Sequence, residues 1–274
     1  MSVLDLECAK GFIRLCEDAF AHGWHEANGG NLSYRMDEED VDACSACFSR
    51  EGTWISLEHP APSLAGAHFL ITGSGKYLRN AVLDPAQTFG IVEVDNLGAA
   101  WRVAWGLEGA GPSSELETHL ATYETALQVS DEANRVVYHA HCPNIIALST
   151  LLPADMNTWT RALWKVMTES IIVFPQGIGV LPWMIPGSPE LAQATCELMR
   201  AYKVCVWTQH GVMVRAASFD EAFGLVHTVE KSCGIYLQAR AANGGEDPQF
   251  LVSDEQLRLV CARYGLTPNE DLLC

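Results

Sequence analysis

Residues 135–142 read RVVYHAHC, an apolar run of strand character that ends in His139-Ala140-His141. Successive side chains along a strand face opposite ways, so residues two apart carry their imidazoles side by side on one face. That arrangement suits a divalent metal. Zinc takes neutral imidazole nitrogens at about 2.0–2.1 Å, and a catalytic zinc site uses three protein ligands and keeps one position open. The pair alone also reads as two polar side chains satisfied by backbone or water at a strand end. A third ligand decides between the two, and His210 supplies one. It stands where an apolar strand, 204–207, meets a second strand, 209–214, with Gly211 beside it permitting close approach.

Three further stretches have the chemistry to hold an anion. Asn28-Gly29-Gly30-Asn31 enters a strand over 32–36; its glycines admit a ligand to the backbone and its asparagines can donate, although a plain turn accounts for it as well. The strand 68–72 runs into Gly73-Ser74-Gly75-Lys76, which lacks the spacing of a Walker motif but places small residues with open N–H groups before a lysine. Pro112-Ser113-Ser114-Glu115-Leu116-Glu117 opens a helix running to about Leu127, with Ser114 and Glu117 spaced as a capping box. A helix N-terminus favours negative charge. Glu115 then either complements the helix dipole or turns toward a metal, and His119, one turn on, reads as packing or solvent-facing rather than as a ligand.

Any anion must be held locally, because the 274-residue chain carries 34 acids against 17 bases, a formal net charge of −17. That balance argues against nucleic acid or an anionic membrane as partner. Apolar residues make up 49% of the chain, enough for a sizeable core, and no Pro/Ser-rich linker divides it, so residues 1–274 are read as one domain. The ten cysteines lack the regular spacing of a disulfide scaffold and read as thiols, Cys44-x-x-Cys47 included. The N-terminus carries Asp5 and Glu7 where a signal peptide would be positive, and no apolar stretch reaches the ~18 residues of a membrane span, so a cytoplasmic protein is expected.

The elements around these residues follow from periodicity. A helix is expected over 4–22, a surface excursion over 37–66, and a hairpin of strands 88–95 and 99–107. After the His-Ala-His strand come a short helix from Pro143 and another over 156–168, closed by Glu169 before a buried strand over 171–174. Helices over 188–202, with Leu191, Ala194, Leu198 and Ala201 inward, 218–241 and 253–264 complete the chain, the last two capped by Ser218 with Glu221 and by Ser253 with Gln256. His22, His25, His59 and His227 have no partner spacing and are read as structural.

Taken in order, NGGNLS at 28–33, ITGSGK at 71–76, SSEL at 113–116, HAH at 139–141 and QHGV at 209–212 resemble the class II aldolase and adducin head family. The resemblance extends through FLITGSGKYLRN and ESIIVFPQGIGVLPWMIPGS and covers nearly the whole chain. It implies an α/β protein, a three-layer α/β/α single domain with a central, largely antiparallel sheet flanked by helices, assembled as a homotetramer with active sites near subunit boundaries. It implies one Zn²⁺ per subunit on His139, His141 and His210, with Glu115 as a further ligand and acid/base. Substrate phosphate would fall on Asn28, Asn31, Ser74, Gly75, Ser113 and Ser114, and Glu169 would reach the aldehyde end of a neighbouring subunit's site. The implied activity is a zinc-dependent lyase reaction on a small-molecule sugar phosphate, giving dihydroxyacetone phosphate and an aldehyde. An epimerase of the same family, or a non-catalytic head like that of adducin, remains the alternative.

Overall fold

The computed structural model describes every residue except 50, 130–132 and 274. Its framework is one nine-stranded sheet. In chain order the strands are β1 (Asn31–Arg35), β2 (Ile55–Ser56), β3 (His68–Thr72), β4 (Phe89–Val94), β5 (Ala100–Gly106), β6 (Val136–Ala140), β7 (Gly179–Leu181), β8 (Val204–Trp207) and β9 (Gly211–Ala216). They lie side by side as β2-β5-β4-β3-β1-β6-β9-β8-β7, and every neighbouring pair is antiparallel except β7 with β8.

Strand alternation divides the core in two. Leu32, Leu70, Ile91, Val136, Tyr138, Val204 and Val214 point to one face, where they meet α1 (Glu7–Ala21), α5 (Pro143–Leu148), α6 (Met156–Val166), α7 (Glu169–Val173), α9 (Phe219–Ala242) and α10 (Asp254–Tyr264). Phe69, Ile71, Val92, Val137, Cys205 and Met213 point to the other, under α4 (Leu116–Gln128) and α8 (Pro189–Met199). The short α2 (Glu38–Cys44) and α3 (Pro85–Thr88) lie in the connections. This is the expected three-layer arrangement with a largely antiparallel sheet. The first face carries the larger aromatic load; Phe12, Trp159 and Trp164 are fully buried there, each worth roughly 1.5–3 kcal/mol or more of apolar burial.

Several local expectations need correction. Residues 171–173 belong to the helix α7 rather than to a strand, and Phe174 is its C-cap. So short an apolar run fits either period, and a helix satisfies its own backbone where it packs between α6, α9 and α10. The expected surface excursion 37–66 is partly buried among its described residues: Asp37 caps α2, and Leu57, Ala61 and Leu64 are buried against the α4 face. The α8 helix ends at Met199; Leu191, Ala194 and Leu198 pack inward as expected, joined by Thr195 and Met199, while Ala201 is exposed. No capping box forms at α4; Ser113 Oγ accepts from the Glu115 N–H, and Glu117 accepts from the Glu58 N–H. The box of Ser253 with Gln256 forms as expected; Ser218 Oγ accepts from the Glu221 N–H, but the Glu221 carboxylate accepts from the Ala217 N–H and not from that of Ser218. All described cysteines are free thiols, most of them buried; Cys274 lies outside the described residues.

Candidate active site

Sheet register gathers the chemistry at one edge. Asn31, the first residue of β1, lies opposite His139 near the end of β6, and Ala140 lies opposite Val212 near the start of β9. The end of β3 reaches the same edge, since the Leu32 N–H donates to Thr72 Oγ1. The loops before β1, after β3, after β6 and before β9 therefore converge.

His139 and His141 point to the α4 side of the sheet by strand alternation, and His210 arrives in the turn joining β8 to β9. Their ring centroids form a nearly equilateral triangle, 4.9 Å for His139–His141, 4.8 Å for His139–His210 and 5.1 Å for His141–His210. One ring nitrogen from each lies within 4.8 Å of the other two. The turn is held in an unusual conformation. Gln209 has φ +53° and is pinned by its N–H to Ser149 Oγ and its side-chain amide to the Ser149 carbonyl. At Gly211 a Cβ would run into the Ala140 carbonyl, so glycine is required for the strands to bring His210 and His139 together.

The hydrogen bonds behind the rings test whether a metal fits. His139 Nδ1 donates to the Val212 carbonyl at 3.0 Å, and His141 Nδ1 donates to the Glu26 carboxylate. In the neutral rings both Nε2 atoms are then lone pairs, yet they face each other at 3.1 Å. His210 Nδ1 is buried with no hydrogen-bond partner among the described residues. Two opposed lone pairs and an orphaned nitrogen call for a shared cation, and the Nδ1 bonds are the outer-shell contacts that orient metal-binding histidines. Electrostatics favours the neutral rings. Burial, then the neighbouring His141 and His210, hold His139 well below the usual histidine range, and burial lowers His210 to about 4. At Glu26 partial burial, which would raise its pKa, is outweighed by the His141 hydrogen bond, leaving the carboxyl below its usual range.

Glu115 sits immediately before α4 and is buried, its Oε2 accepting from Asn31 Nδ2 at 2.8 Å. Burial raises its pKa, against the pull of the Asn31 bond and of His141 nearby. Asn31, expected to meet an anion, is held at both ends: its Oδ1 accepts from His119 Nε2, and one of its two Nδ2 hydrogens goes to Glu115. His119 is fully buried, a packing residue as expected, but the sequence reading missed that it bonds to Asn31 and to Ser33. The signal was present in Glu115, His119 and Tyr123, polar residues at four-residue spacing on the helix face that should pack on a sheet.

The expected anion residues come together in part. A bridge between Gly73 and Pro112 and the bond from the Ser74 N–H to the Gly111 carbonyl join the 73–75 turn to Ser113 and Ser114. The N–H groups of Gly75 and Ser114 have no partner among the described residues. Gly29 lies against the ring of His141, and Asn28 is exposed on the same loop. His25, buried beneath it, donates to the Gly29 carbonyl and accepts from the Tyr138 hydroxyl, and so fixes the loop. Ser114 also lines a cavity of about 730 Å³ between α4 and α8. His59, read as structural, is instead exposed at its rim beside Glu58 and Glu117. Glu169 is exposed at the start of α7, in the helical layer on the other side of the sheet from α4.

Known proteins bear on this geometry. The chain is 39% identical over 273 residues to rhamnulose-1-phosphate aldolase of Klebsiella pneumoniae, covering 99% of this chain and 98% of that one. It is 40% identical over 260 residues to rhamnulose-1-phosphate aldolase of Escherichia coli, covering 94% of each. Among solved structures, a sugar-phosphate aldolase from Thermotoga maritima matches with TM-score 0.74 at 25% identity, over 88% of this chain and 97% of that one. L-fuculose-1-phosphate aldolase from Thermus thermophilus, with TM-score 0.58 at 23% identity over 88% and 98%, shares the fold. The family model described as class II aldolase and adducin N-terminal domain matches residues 10–237, and the chain belongs to that family.

Proposed function

We propose that this chain is a metal-dependent aldehyde-lyase that cleaves L-rhamnulose 1-phosphate into dihydroxyacetone phosphate and L-lactaldehyde, with residues 1–274 forming one catalytic domain. The observation that carries the reading is end-to-end similarity to rhamnulose-1-phosphate aldolases joined to an intact three-histidine cluster beside a buried carboxyl. That cluster separates an enzyme from a non-catalytic head.

His139, His141 and His210 would hold the metal, and three neutral imidazoles suit zinc. When bound, such a cation polarises the substrate ketone and takes up the negative charge left as the C3–C4 bond breaks. The remaining work falls to the chain. The C4 hydroxyl gives up its proton as the aldehyde forms, and Glu169 of a neighbouring copy is assigned to that end. Glu115 is the acid/base: Asn31 occupies Oε2, leaving Oε1 to deliver a proton to C3 of the departing dihydroxyacetone phosphate, or to remove it in the reverse direction. Burial raises the pKa of this carboxyl, so it holds the proton more readily than a free carboxyl does.

The phosphate is assigned to Asn28, Ser74, Gly75, Ser113 and Ser114, where open N–H groups and hydroxyls meet at one edge. Asn31, the sixth of the expected contacts, is assigned to the phosphate through its second amide hydrogen while the first holds Glu115. Each charge-assisted hydrogen bond to the phosphate is worth roughly 1.5–3 kcal/mol. We assign the enzyme to the cytoplasm, in keeping with its free cysteines, and to a homotetramer that supplies Glu169 across a subunit boundary. No helix among the described residues is long and apolar enough to cross a membrane. The test is a panel of ketose 1-phosphates, L-rhamnulose and L-fuculose among them, assayed for dihydroxyacetone phosphate. Preferred cleavage of L-rhamnulose 1-phosphate is expected; a rearranged sugar phosphate without cleavage would make the enzyme an epimerase.

A further inference from the structure

Glu115, His119 and Tyr123 recur every four residues and face the sheet as one stripe, against Asn31 and Ser33 of β1, two apart on one face of the strand. The hydrogen bonds between them run unbroken. Glu115 Oε2 accepts from Asn31 Nδ2 at 2.8 Å, Asn31 Oδ1 accepts from His119 Nε2, His119 Nδ1 lies 2.6 Å from Ser33 Oγ, and Ser33 Oγ lies 2.9 Å from the Tyr123 hydroxyl. All five side chains are buried, Ser33 and His119 to 1% and 0% exposure.

The chemistry of the groups sets the direction of the bonds from Glu115 through to Ser33, beyond which the Tyr123 hydroxyl also donates to the Arg135 carbonyl at 3.1 Å. A carboxylate oxygen only accepts, so the amino end of Asn31 faces Glu115 and its carbonyl faces His119. His119 must then carry its hydrogen on Nε2. Burial lowers its pKa to about 3, so the ring is neutral and Nδ1 is a lone pair, which takes the Ser33 hydroxyl hydrogen. Were His119 to hold its hydrogen on Nδ1, Nε2 would oppose the Asn31 carbonyl and the amide would turn its own oxygen toward Glu115.

We propose that His119 is a positioning residue for the reaction: held by Ser33 in its Nε2–H form, it fixes the Asn31 amide so that Glu115 Oε2 stays occupied and Oε1 is the oxygen that exchanges the proton. This rests on the assignment of Glu115 as the acid/base. The side chain of Ser33 stands three hydrogen bonds from Glu115, and a role confined to packing α4 on β1 would change stability without changing turnover.

The test uses metal-loaded enzyme and follows exchange of the dihydroxyacetone phosphate C3 proton with solvent deuterium. Ser33→Ala and His119→Phe are expected to lower kcat for exchange by ~10–100-fold, the scale of a small misplacement of a catalytic group, with KM and bound metal per subunit unchanged. His119→Gln, whose amide nitrogen takes the place of Nε2, is expected to recover most of the rate lost in His119→Phe. Nitrogen NMR shifts of wild-type enzyme should report His119 as the Nε2–H form, with a mixture in Ser33→Ala. Wild-type kcat in Ser33→Ala, a His119→Gln rate as low as His119→Phe, or an Nδ1–H ring in the wild type would each overturn the proposal. Wild-type enzyme that neither exchanges the proton nor cleaves L-rhamnulose 1-phosphate would overturn the function on which it rests, and this proposal with it.

Discussion

Replacing Glu115 by Gln separates a catalytic carboxyl from one that merely begins a helix. The change is nearly isosteric, and the Gln carbonyl can still accept the 2.8 Å bond from Asn31 Nδ2, so packing at the start of α4 is kept. What the fold loses is one negative charge near a helix N-terminus, about 0.3–1 kcal/mol, offset because a buried neutral amide carries no ionic desolvation cost. What the reaction loses is its proton donor and acceptor at Oε1. General acid–base catalysis supplies roughly 10²–10⁴ in rate, or about 2.7–5.5 kcal/mol of barrier. The assay is exchange of the dihydroxyacetone phosphate C3 proton with deuterium, a half-reaction that needs no aldehyde and therefore no contribution from Glu169. Exchange should fall by two to four orders of magnitude while metal content and thermal midpoint stay near those of the parent. Exchange at the parental rate would remove Glu115 from the acid/base role.

Glu26→Gln weakens the partner of His141 Nδ1 without touching a metal ligand; Zn²⁺ affinity in competition with a chromophoric chelator should drop by about 10–100-fold, and an unchanged affinity would show that the Glu26–His141 bond does not orient the ring. Ser74→Ala, or use of the unphosphorylated ketose, should raise KM with a smaller effect on kcat, each lost phosphate hydrogen bond costing about 1.5–3 kcal/mol; equal cleavage of the free ketose would refute the phosphate assignment. Stability should fall with acid through His25, whose pKa is lowered by burial from 6.5 to about 4. The unfolded chain takes up that proton first, so the contribution is complete above about pH 6.5 and is lost toward pH 4 at up to about 1.4 kcal/mol per pH unit. Urea unfolding at pH 7, 6 and 5 should show this slope, and His25→Gln should flatten it; identical slopes would contradict the assignment.

How much of this was legible in the sequence depended on whether a residue acts through its neighbours in the chain or across the sheet. The strand ending in His139-Ala140-His141 carries its own period, and His210 with Gly211 marks its own turn, so the trio could be read from local pattern. The helix through 171–173 could not, because the four apolar residues 171–174 have no period to distinguish. That Asn31 also holds Glu115 was not legible, because the β1–β6 register that places it under Glu115 and beside His139 is a property of pairing between distant segments. The same holds for His119: its spacing from Glu115 was visible, but its meaning required knowing that β1 lies beneath α4. His25 looked unpartnered along the chain and finds Tyr138 only in three dimensions.

The most direct test of the central claim is to strip metal from purified protein with a chelator and follow dihydroxyacetone phosphate release from L-rhamnulose 1-phosphate before and after Zn²⁺ is restored. The three-histidine cluster, with two Nε2 lone pairs facing each other at 3.1 Å, predicts loss of cleavage on stripping and recovery at about one Zn²⁺ per subunit. Full activity in verified metal-free protein would contradict it.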